Sequence, residues 1–190
     1  MPSNALNVHF EQLLKDVIDI NTAHNKLKTG NPGRQHGLAA LNRAAVVSAV
    51  SAWESYVEEL MRESLQALRQ AAPPLDPWPA LSAYVLGFLA RLNTPNSNNV
   101  SNLIHNSLGL PNVHLSWVWR GCTSNQAVDR LDAALDYRHK IAHGVKHRPG
   151  VLNDYSKSLL KFFRQLANCM DTAVRHHLVT SHGVSKPWPL

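Results

Sequence analysis

The residues of this chain best suited to chemistry lie in one short segment, RHKIAHG, which runs from Arg138 to Gly144. Its arginine stays charged at physiological pH and grips an anion in a fixed geometry. Its two histidines, His139 and His143, carry imidazoles, which titrate near neutrality and can give or take a proton. The segment therefore combines an anion-binding group with groups suited to acid–base catalysis.

Arg138 is predicted to lie on the inward face of its helix. At about 100° per residue, the apolar positions of this helix form one stripe. The stripe consists of Val128, Leu131, Leu135 and Ala142. Arg138 falls inside it, and His139 and His143 fall on the same side, the side that turns inward or toward a partner. Because an unpaired buried charge is costly, Arg138 needs either a counter-charge or a function.

The expected counter-charge is Glu54, which lies on an upstream helix. Its spacing places it at the edge of that helix's apolar stripe, whereas Glu58 and Glu59 point outward. We expect Glu54 to approach Arg138 or His143.

Two other interpretations of RHKIAHG stay open. Cations favour the negative end of a helix, and Gly144 would suit the cap that ends it, so the segment could be purely structural. His139 and His143 also have the i, i+4 spacing of helical metal ligands. Lys140, however, stands where a zinc protease has its glutamate, so no metal is predicted.

Apolar residues recur every three or four positions along most of the chain, which predicts amphipathic helices. The predicted helices run from about Leu6 to Leu27, Leu38 to Leu68, Ala80 to Leu92 and Gln126 to Gly144, with a last helix through Tyr155 and His177. Glycine and proline break the pattern at GNPGRQHG, AAPPLDPWP and HRPG. Between the third and fourth helices lie a polar loop, TPNSNN, a weak helical turn around Val100 to Ser107, and the irregular segment LPNVHLSWVWRG. Ser124 or Asn125 is the expected N-cap of the fourth helix.

No segment alternates apolar and polar residues as a half-buried strand does. We therefore predict an all-α, up-and-down helical bundle of about four to five main helices with an irregular middle segment. Residues 1–180 form a single domain in this prediction, and residues 181–190 form a flexible tail.

The 19 Lys and Arg residues exceed the 13 Asp and Glu residues, giving a net charge of +6. This charge would suit binding to a polyanion but does not identify one.

The N-terminus lacks the features of a signal peptide, and no long apolar run predicts a membrane span. Cys122 and Cys169 lie far apart in sequence without a CxxC partner, which fits reduced thiols. We expect a cytoplasmic protein that does not enter a membrane. No nucleotide-cradling or acyl-transfer motif occurs, so no cofactor is predicted.

Tryptophans could stack on the bases of single-stranded RNA. Trp117 and Trp119 flank a basic, irregular segment that ends at Arg120, which makes these three residues candidates for RNA contacts. The alternative is that both tryptophans pack in the core.

Two parts of the chain together resemble a known family. An arginine, four intervening residues and a histidine, with a polar residue directly after the arginine and glycine after the histidine, is similar to the signature of HEPN domains. The upstream helix VVSAVSAWESYVEELMRE, at 46–63, resembles the second helix of the RiboL-PSP type of HEPN protein. HEPN domains are helical bundles, many of which are metal-independent endoribonucleases that work as dimers.

The resemblance implies that Arg138 and His143 carry the reaction, with His139, Lys140 and Glu54 in support. Cleaving RNA without a metal requires a base for the 2′-hydroxyl proton, an acid for the leaving 5′-oxygen, and a cation beside the phosphate. Two motifs facing each other across a two-fold axis would supply both Arg–His pairs, so a homodimer is expected.

The resemblance also suggests a biological role and an alternative function. The enzyme would be a toxin or an anti-phage defence effector, with an antitoxin or another regulatory protein as a possible partner. The alternative is a non-catalytic HEPN-like module that binds RNA, a nucleotide or a protein partner.

Overall fold

In a computed structural model, residues 1–29, 36–71, 77–144 and 153–188 are described, and within these ranges the chain is all-helical. The α-helices are α1 (Glu11–Leu27), α2 (His36–Ala71), α3 (Trp78–Leu89), α4 (Ser97–Leu108), α5 (Ser124–Ala142) and α6 (Asn153–His182). A π-helical turn, Ala5–Phe10, leads into α1, and a 3-10 turn, Val113–Ser116, lies between α4 and α5. The all-α bundle is confirmed, with six α-helices rather than four or five in the described part. The breaks predicted at GNPGRQHG, AAPPLDPWP and HRPG fall largely or wholly outside the described residues.

The long helix α2 is the centre of the bundle and packs against α1, α5 and α6. Trp53 is fully buried on α2, where its ring stacks on Phe163 of α6 with 5.9 Å between ring centroids. The indole N–H of Trp53 donates to the Pro95 carbonyl at 2.9 Å, which ties the α3–α4 loop to the core. The neighbouring Tyr56 donates its hydroxyl hydrogen to the Ala167 carbonyl at 2.9 Å. Burying these large rings with their polar atoms paired fixes α2 against α6 and the α3–α4 loop.

Two buried acids hold the N-terminal turn. The Glu63 carboxylate on α2 accepts the backbone N–H groups of Asn4 and Ala5 at 3.0 and 2.9 Å. Asp171 on α6 accepts the Ser3 N–H at 3.2 Å and the Ser3 hydroxyl. Burial raises the pKa of Asp171, and the hydrogen bonds from Ser3 oppose that rise. The carboxylates thus satisfy helix-start donors that have no partner in their own helix.

The middle of the chain is more regular than predicted. Residues 97–99 of the expected polar loop belong to α4, a full helix of 12 residues in place of the expected weak turn. Asn96 caps it by accepting the Asn99 N–H at 2.8 Å. The irregular segment after α4 is confirmed, with one 3-10 turn in it. The N-cap of α5 is Thr123, not Ser124 or Asn125, because Thr123 and Gln126 form a reciprocal capping box.

The expectation of a loose tail does not fit the structure. Helix α6 continues to His182, beyond the predicted domain end at residue 180. Val184 and Trp188 after it are 4% and 5% exposed and belong to the core cluster. The burial of two apolar side chains holds this segment against the bundle. In the described part of the chain, no helix combines the length and the apolar character needed to cross a membrane.

Replacing Glu63 by alanine leaves two backbone donors at the start of the chain without their acceptor. We expect the free energy of unfolding to fall by about 2–4 kcal/mol, measured by urea denaturation. The control is Glu59→Ala on the same helix, since Glu59 pairs with Arg62 at 4.0 Å on an exposed surface. The control should lose about 0.5 kcal/mol or less. Equal losses in both variants would show that the carboxylate does not hold the N-terminal turn.

Candidate active site

Helix α5 presents RHKIAHG at its C-terminal end. It starts at a capping box and buries one apolar face, while its last turn carries the motif. The buried residues of that face are Ala127, Leu131, Ala134 and Leu135. Gly144 follows the C-cap residue His143 and has φ +67°, a left-handed conformation that glycine adopts without strain. The predicted glycine cap is therefore confirmed.

Arg138 and Glu54 form the predicted ion pair between α5 and α2. The Arg138 Nη2 atom lies 3.5 Å from the Glu54 Oε2 atom, and the side chains are 34% and 22% exposed. The other oxygen of Glu54, Oε1, is buried and has no hydrogen-bond partner within the described residues. Burial raises the pKa of Glu54, and the charge of Glu58 raises it further, while the positive charge of Arg138 lowers it. The pair fixes a permanent cation at the edge of the bundle.

The two histidines of the motif face outward. His139 and His143 are exposed, and their rings contact each other with centroids 4.3 Å apart. Ala142, expected in the inward stripe, is exposed as well. Ile141 in the final turn is still half-buried and packs against the core, so the two histidines lie on the outer side of that turn. The imidazoles are therefore accessible to a substrate or to a partner.

Lys140 is held by its own helix. Its ammonium nitrogen lies 2.5 Å from the Asp136 carboxylate, one turn earlier on α5. The pair is exposed and spaced i, i+4, an arrangement that adds little to stability. Lys140 thus adds positive charge beside His139 and pairs with Asp136.

A polar cavity of about 310 Å³ opens beside the motif. Its lining consists of Thr94, Asn96, Asp132, Leu135, Asp136, Arg138 and His139. The α3–α4 loop forms one wall and α5 the other. Sequence reasoning missed Thr94, Asn96 and Asp132, since it assigned TPNSNN only to a loop. The one available signal was the concentration of amide and hydroxyl side chains in that loop.

The segment with Trp117, Trp119 and Arg120 lies away from the RHKIAHG motif. Trp117 is fully buried with its ring edge-on to Trp53 at 6.5 Å, so stacking of Trp117 on a base is wrong and the packing alternative is confirmed. Trp119 is half-buried and packs on Phe162 at 5.9 Å, while Arg120 is exposed. These residues precede the N-cap of α5, and residues 124–137 of that helix separate them from Arg138 by roughly 21 Å along the axis. The structure does not bring them to Arg138.

Metal-ligating side chains do not cluster at the motif. His139 and His143 are in contact, but nowhere in the described ranges do three His, Cys, Asp or Glu side chains form a group that could hold a metal ion.

Opposite substitutions around Glu54 should move its pKa in opposite directions. Arg138→Gln removes the charge that lowers the pKa and should raise it, whereas Glu58→Gln removes a charge that raises the pKa and should lower it. NMR titration of the Glu54 side-chain carboxyl carbon measures both. Lys140→Gln, which removes a nearby charge paired with Asp136, is the control and should leave the Glu54 pKa close to its wild-type value. A Glu54 pKa that does not respond to Arg138→Gln would contradict the ion pair.

Comparison with known proteins identifies a family for this chain. Neither the curated proteins nor the solved structures contain a match to this chain. A family model, RiboL-PSP-HEPN, matches residues 11–176, a range that begins with α1, includes α2 and the α5 motif, and ends within α6. The chain belongs to the RiboL-PSP-HEPN family.

Proposed function

We propose that this protein is a metal-independent endoribonuclease that cleaves RNA by 2′-hydroxyl attack at a composite site formed across a homodimer. The observation that carries the proposal is the arrangement of the motif side chains at the end of α5. Arg138 is half-buried and fixed by Glu54, while His139 and His143 are exposed at the surface. HEPN domains are often ribonucleases, and this arrangement supplies the groups that such a reaction needs.

In the proposed reaction, the Arg138 guanidinium binds the non-bridging oxygens of the phosphate and offsets the charge that builds there. A base removes the 2′-hydroxyl proton, and the 2′-oxygen bonds to phosphorus. The bond from phosphorus to the 5′-oxygen breaks, and an acid protonates that oxygen. The products are a 2′,3′-cyclic phosphate and a 5′-hydroxyl. His143 is the proposed proton-transfer residue, and His139 supports it through ring contact.

The contact between the two histidines argues for a second copy. In-line displacement puts the base and the acid on opposite sides of the phosphorus. With ring centroids 4.3 Å apart, His139 and His143 are in van der Waals contact and leave no room for a phosphate between them. One chain therefore supplies one side of the reaction. A second copy related by a two-fold axis would supply the other.

The proposed biological role is that of a toxin or an anti-phage defence effector in the cytoplasm. An RNA-cleaving site with exposed histidines needs restraint in its own cell, which an antitoxin or another regulatory protein would provide.

One observation favours the alternative function, a HEPN module that binds a partner without cleavage. Helix α3 has the sequence WPALSAYVLGFL, which contains no charged residue. Its Leu81, Tyr84 and Leu86 side chains are 40%, 55% and 42% exposed. Exposed apolar side chains on an uncharged helix are suited to binding another protein.

Cleavage of mixed RNA in the presence of EDTA tests the enzyme directly. The wild-type protein should cut, and His143→Ala and Arg138→Ala should each reduce the rate by about 10²–10⁴-fold, because each loses a group that acts in the transition state. Gel electrophoresis of end-labelled RNA gives the rates.

The matched controls are His105→Ala and Arg62→Ala, which change exposed residues outside the motif. Both control variants should cleave RNA at the wild-type rate. Cleavage that EDTA abolishes, or that survives both motif substitutions, would contradict the proposal. A protein that sediments as a monomer at concentrations where it cleaves would contradict the composite site. RNA or protein binding without cleavage would favour the non-catalytic module.

A further inference from the structure

Two histidines of α6 meet the end of α4 at a single carbonyl oxygen. Leu108 is the last residue of α4, so its carbonyl has no N–H partner within that helix. The Nε2 atoms of His177 and His182 each lie 2.8 Å from this oxygen. The two rings are nearly perpendicular, with centroids 5.1 Å apart. Two imidazole nitrogens and one carbonyl oxygen therefore converge on one small volume.

The positions of the ring hydrogens decide what this cluster can do. With hydrogen on Nε2, each ring donates to the Leu108 carbonyl. With hydrogen on Nδ1, each Nε2 atom presents a lone pair, which is the form that binds a metal ion. At His177 the Ser181 Oγ atom lies 3.1 Å from Nδ1 and can accept the hydrogen of this second form. Metal-binding histidines usually donate their other ring N–H to such an oxygen.

The distances in the cluster are close to those between neighbouring ligands of one ion. Zinc binds imidazole nitrogen and oxygen ligands at about 2.0–2.2 Å, which places adjacent ligands about 3.0–3.4 Å apart. Each Nε2 atom lies 2.8 Å from the Leu108 oxygen, so the rings need to retreat by only a few tenths of an ångström to admit an ion. His182 is the last residue of α6 and is exposed, which leaves its ring room for this shift.

The donor set and its surroundings suit a particular class of cation. No three His, Cys, Asp or Glu side chains in the described ranges form a metal-binding group, so the third protein ligand here is the main-chain oxygen. Imidazole nitrogens favour zinc and nickel, whereas magnesium favours carboxylate and water oxygens. The C-terminal end of α4 also carries partial negative charge, which stabilises a cation beside it.

We propose that Leu108, His177 and His182 form a binding site for a divalent transition-metal ion such as Zn²⁺. The ion binds the Leu108 carbonyl oxygen and the two Nε2 atoms, with water at its remaining positions. Ser181 is a positioning residue that orients the His177 ring. The ion joins the end of α4 to the last turn of α6 and stabilises the fold.

The metal site is remote from the RHKIAHG motif. Helix α4 begins at Ser97, which follows the cavity-lining residue Asn96, and it ends at Leu108. Its 12 residues separate the two ends by roughly 18 Å. The proposed ion therefore takes no part in the proposed RNA cleavage, and its binding can be measured without RNA.

Isothermal titration calorimetry of the full chain without an affinity tag compares Zn²⁺ with Mg²⁺. The wild-type protein should bind one Zn²⁺ and no Mg²⁺. His177→Gln and His182→Gln should each weaken Zn²⁺ binding about tenfold or more, because glutamine keeps an N–H donor for the Leu108 carbonyl but lacks the imidazole ligand. Ser181→Ala should weaken it about tenfold, since it loses the partner that orients His177.

Two control variants locate the ion. His176→Ala changes an exposed histidine next to His177 and should leave the Zn²⁺ affinity at the wild-type value. His143→Ala should do the same, although His139 and His143 form another histidine pair whose rings are in contact. Zn²⁺ binding that is lost in His143→Ala and kept in His177→Gln would assign the ion to the motif and overturn the proposed site.

Thermal unfolding tests the stabilising role. Zn²⁺ at about 100 times its Kd should raise the Tm of the wild type by about 5 °C, because the ion binds the folded chain in preference to the unfolded one. His182→Gln should show a rise of about 1 °C or less and, since His182 is exposed, should match the wild-type fold by circular dichroism. No Zn²⁺ binding by the wild type, or binding that survives both glutamine substitutions, would overturn the site.

Discussion

The ion pair between Glu54 and Arg138 is the interaction on which the site depends. Arg138 lies on the side of α5 that packs toward α2, where a charge without a partner would be costly. Glu54 supplies that partner and is itself half-buried, so that burial and Arg138 act on its pKa in opposite directions. Glu54 directly follows Trp53, the fully buried ring at the centre of the core. The position of the guanidinium is thereby tied to the buried core of the bundle.

The ion pair fixes Arg138, whereas the two histidines of the motif are not held by it. The cation is held at the edge of the bundle, while His139 and His143 are exposed on the outer side of the last turn of α5. A site of this kind orients an anion but leaves proton transfer open to what approaches from outside. Because the two imidazoles are in contact, they would lie on the same side of a bound phosphate. In the proposed reaction, chemistry at the phosphorus depends on a second set of residues, which the proposed two-fold arrangement would supply.

The sequence was sufficient to predict the ion pair, although the same helical wheel placed Ala142 on the inward face and the structure has it exposed. Wheel geometry placed Arg138 in the stripe of α5 and Glu54 at the edge of α2, and their contact follows because both stripes face the same core. Sequence analysis did not predict the contacts that join distant parts of the chain. The cavity depends on hydrogen bonds between Ser97 and Asp132, 35 residues apart, and the tail is held through Trp188. Trp117 was also ambiguous, because an aromatic ring suits a core and a base equally well until its neighbours are known.

The most direct test of the account is the chemistry at the cut. An RNA oligonucleotide is compared, in EDTA, with the same sequence carrying a 2′-O-methyl group on the nucleotide whose 3′-phosphate is attacked. The account predicts that the unmodified RNA gives a 2′,3′-cyclic phosphate and a 5′-hydroxyl by mass spectrometry, and that the methylated RNA is not cut at that position, since the attacking oxygen is blocked. Cleavage of the methylated RNA there, or ends with a 3′-hydroxyl and a 5′-phosphate, would contradict it.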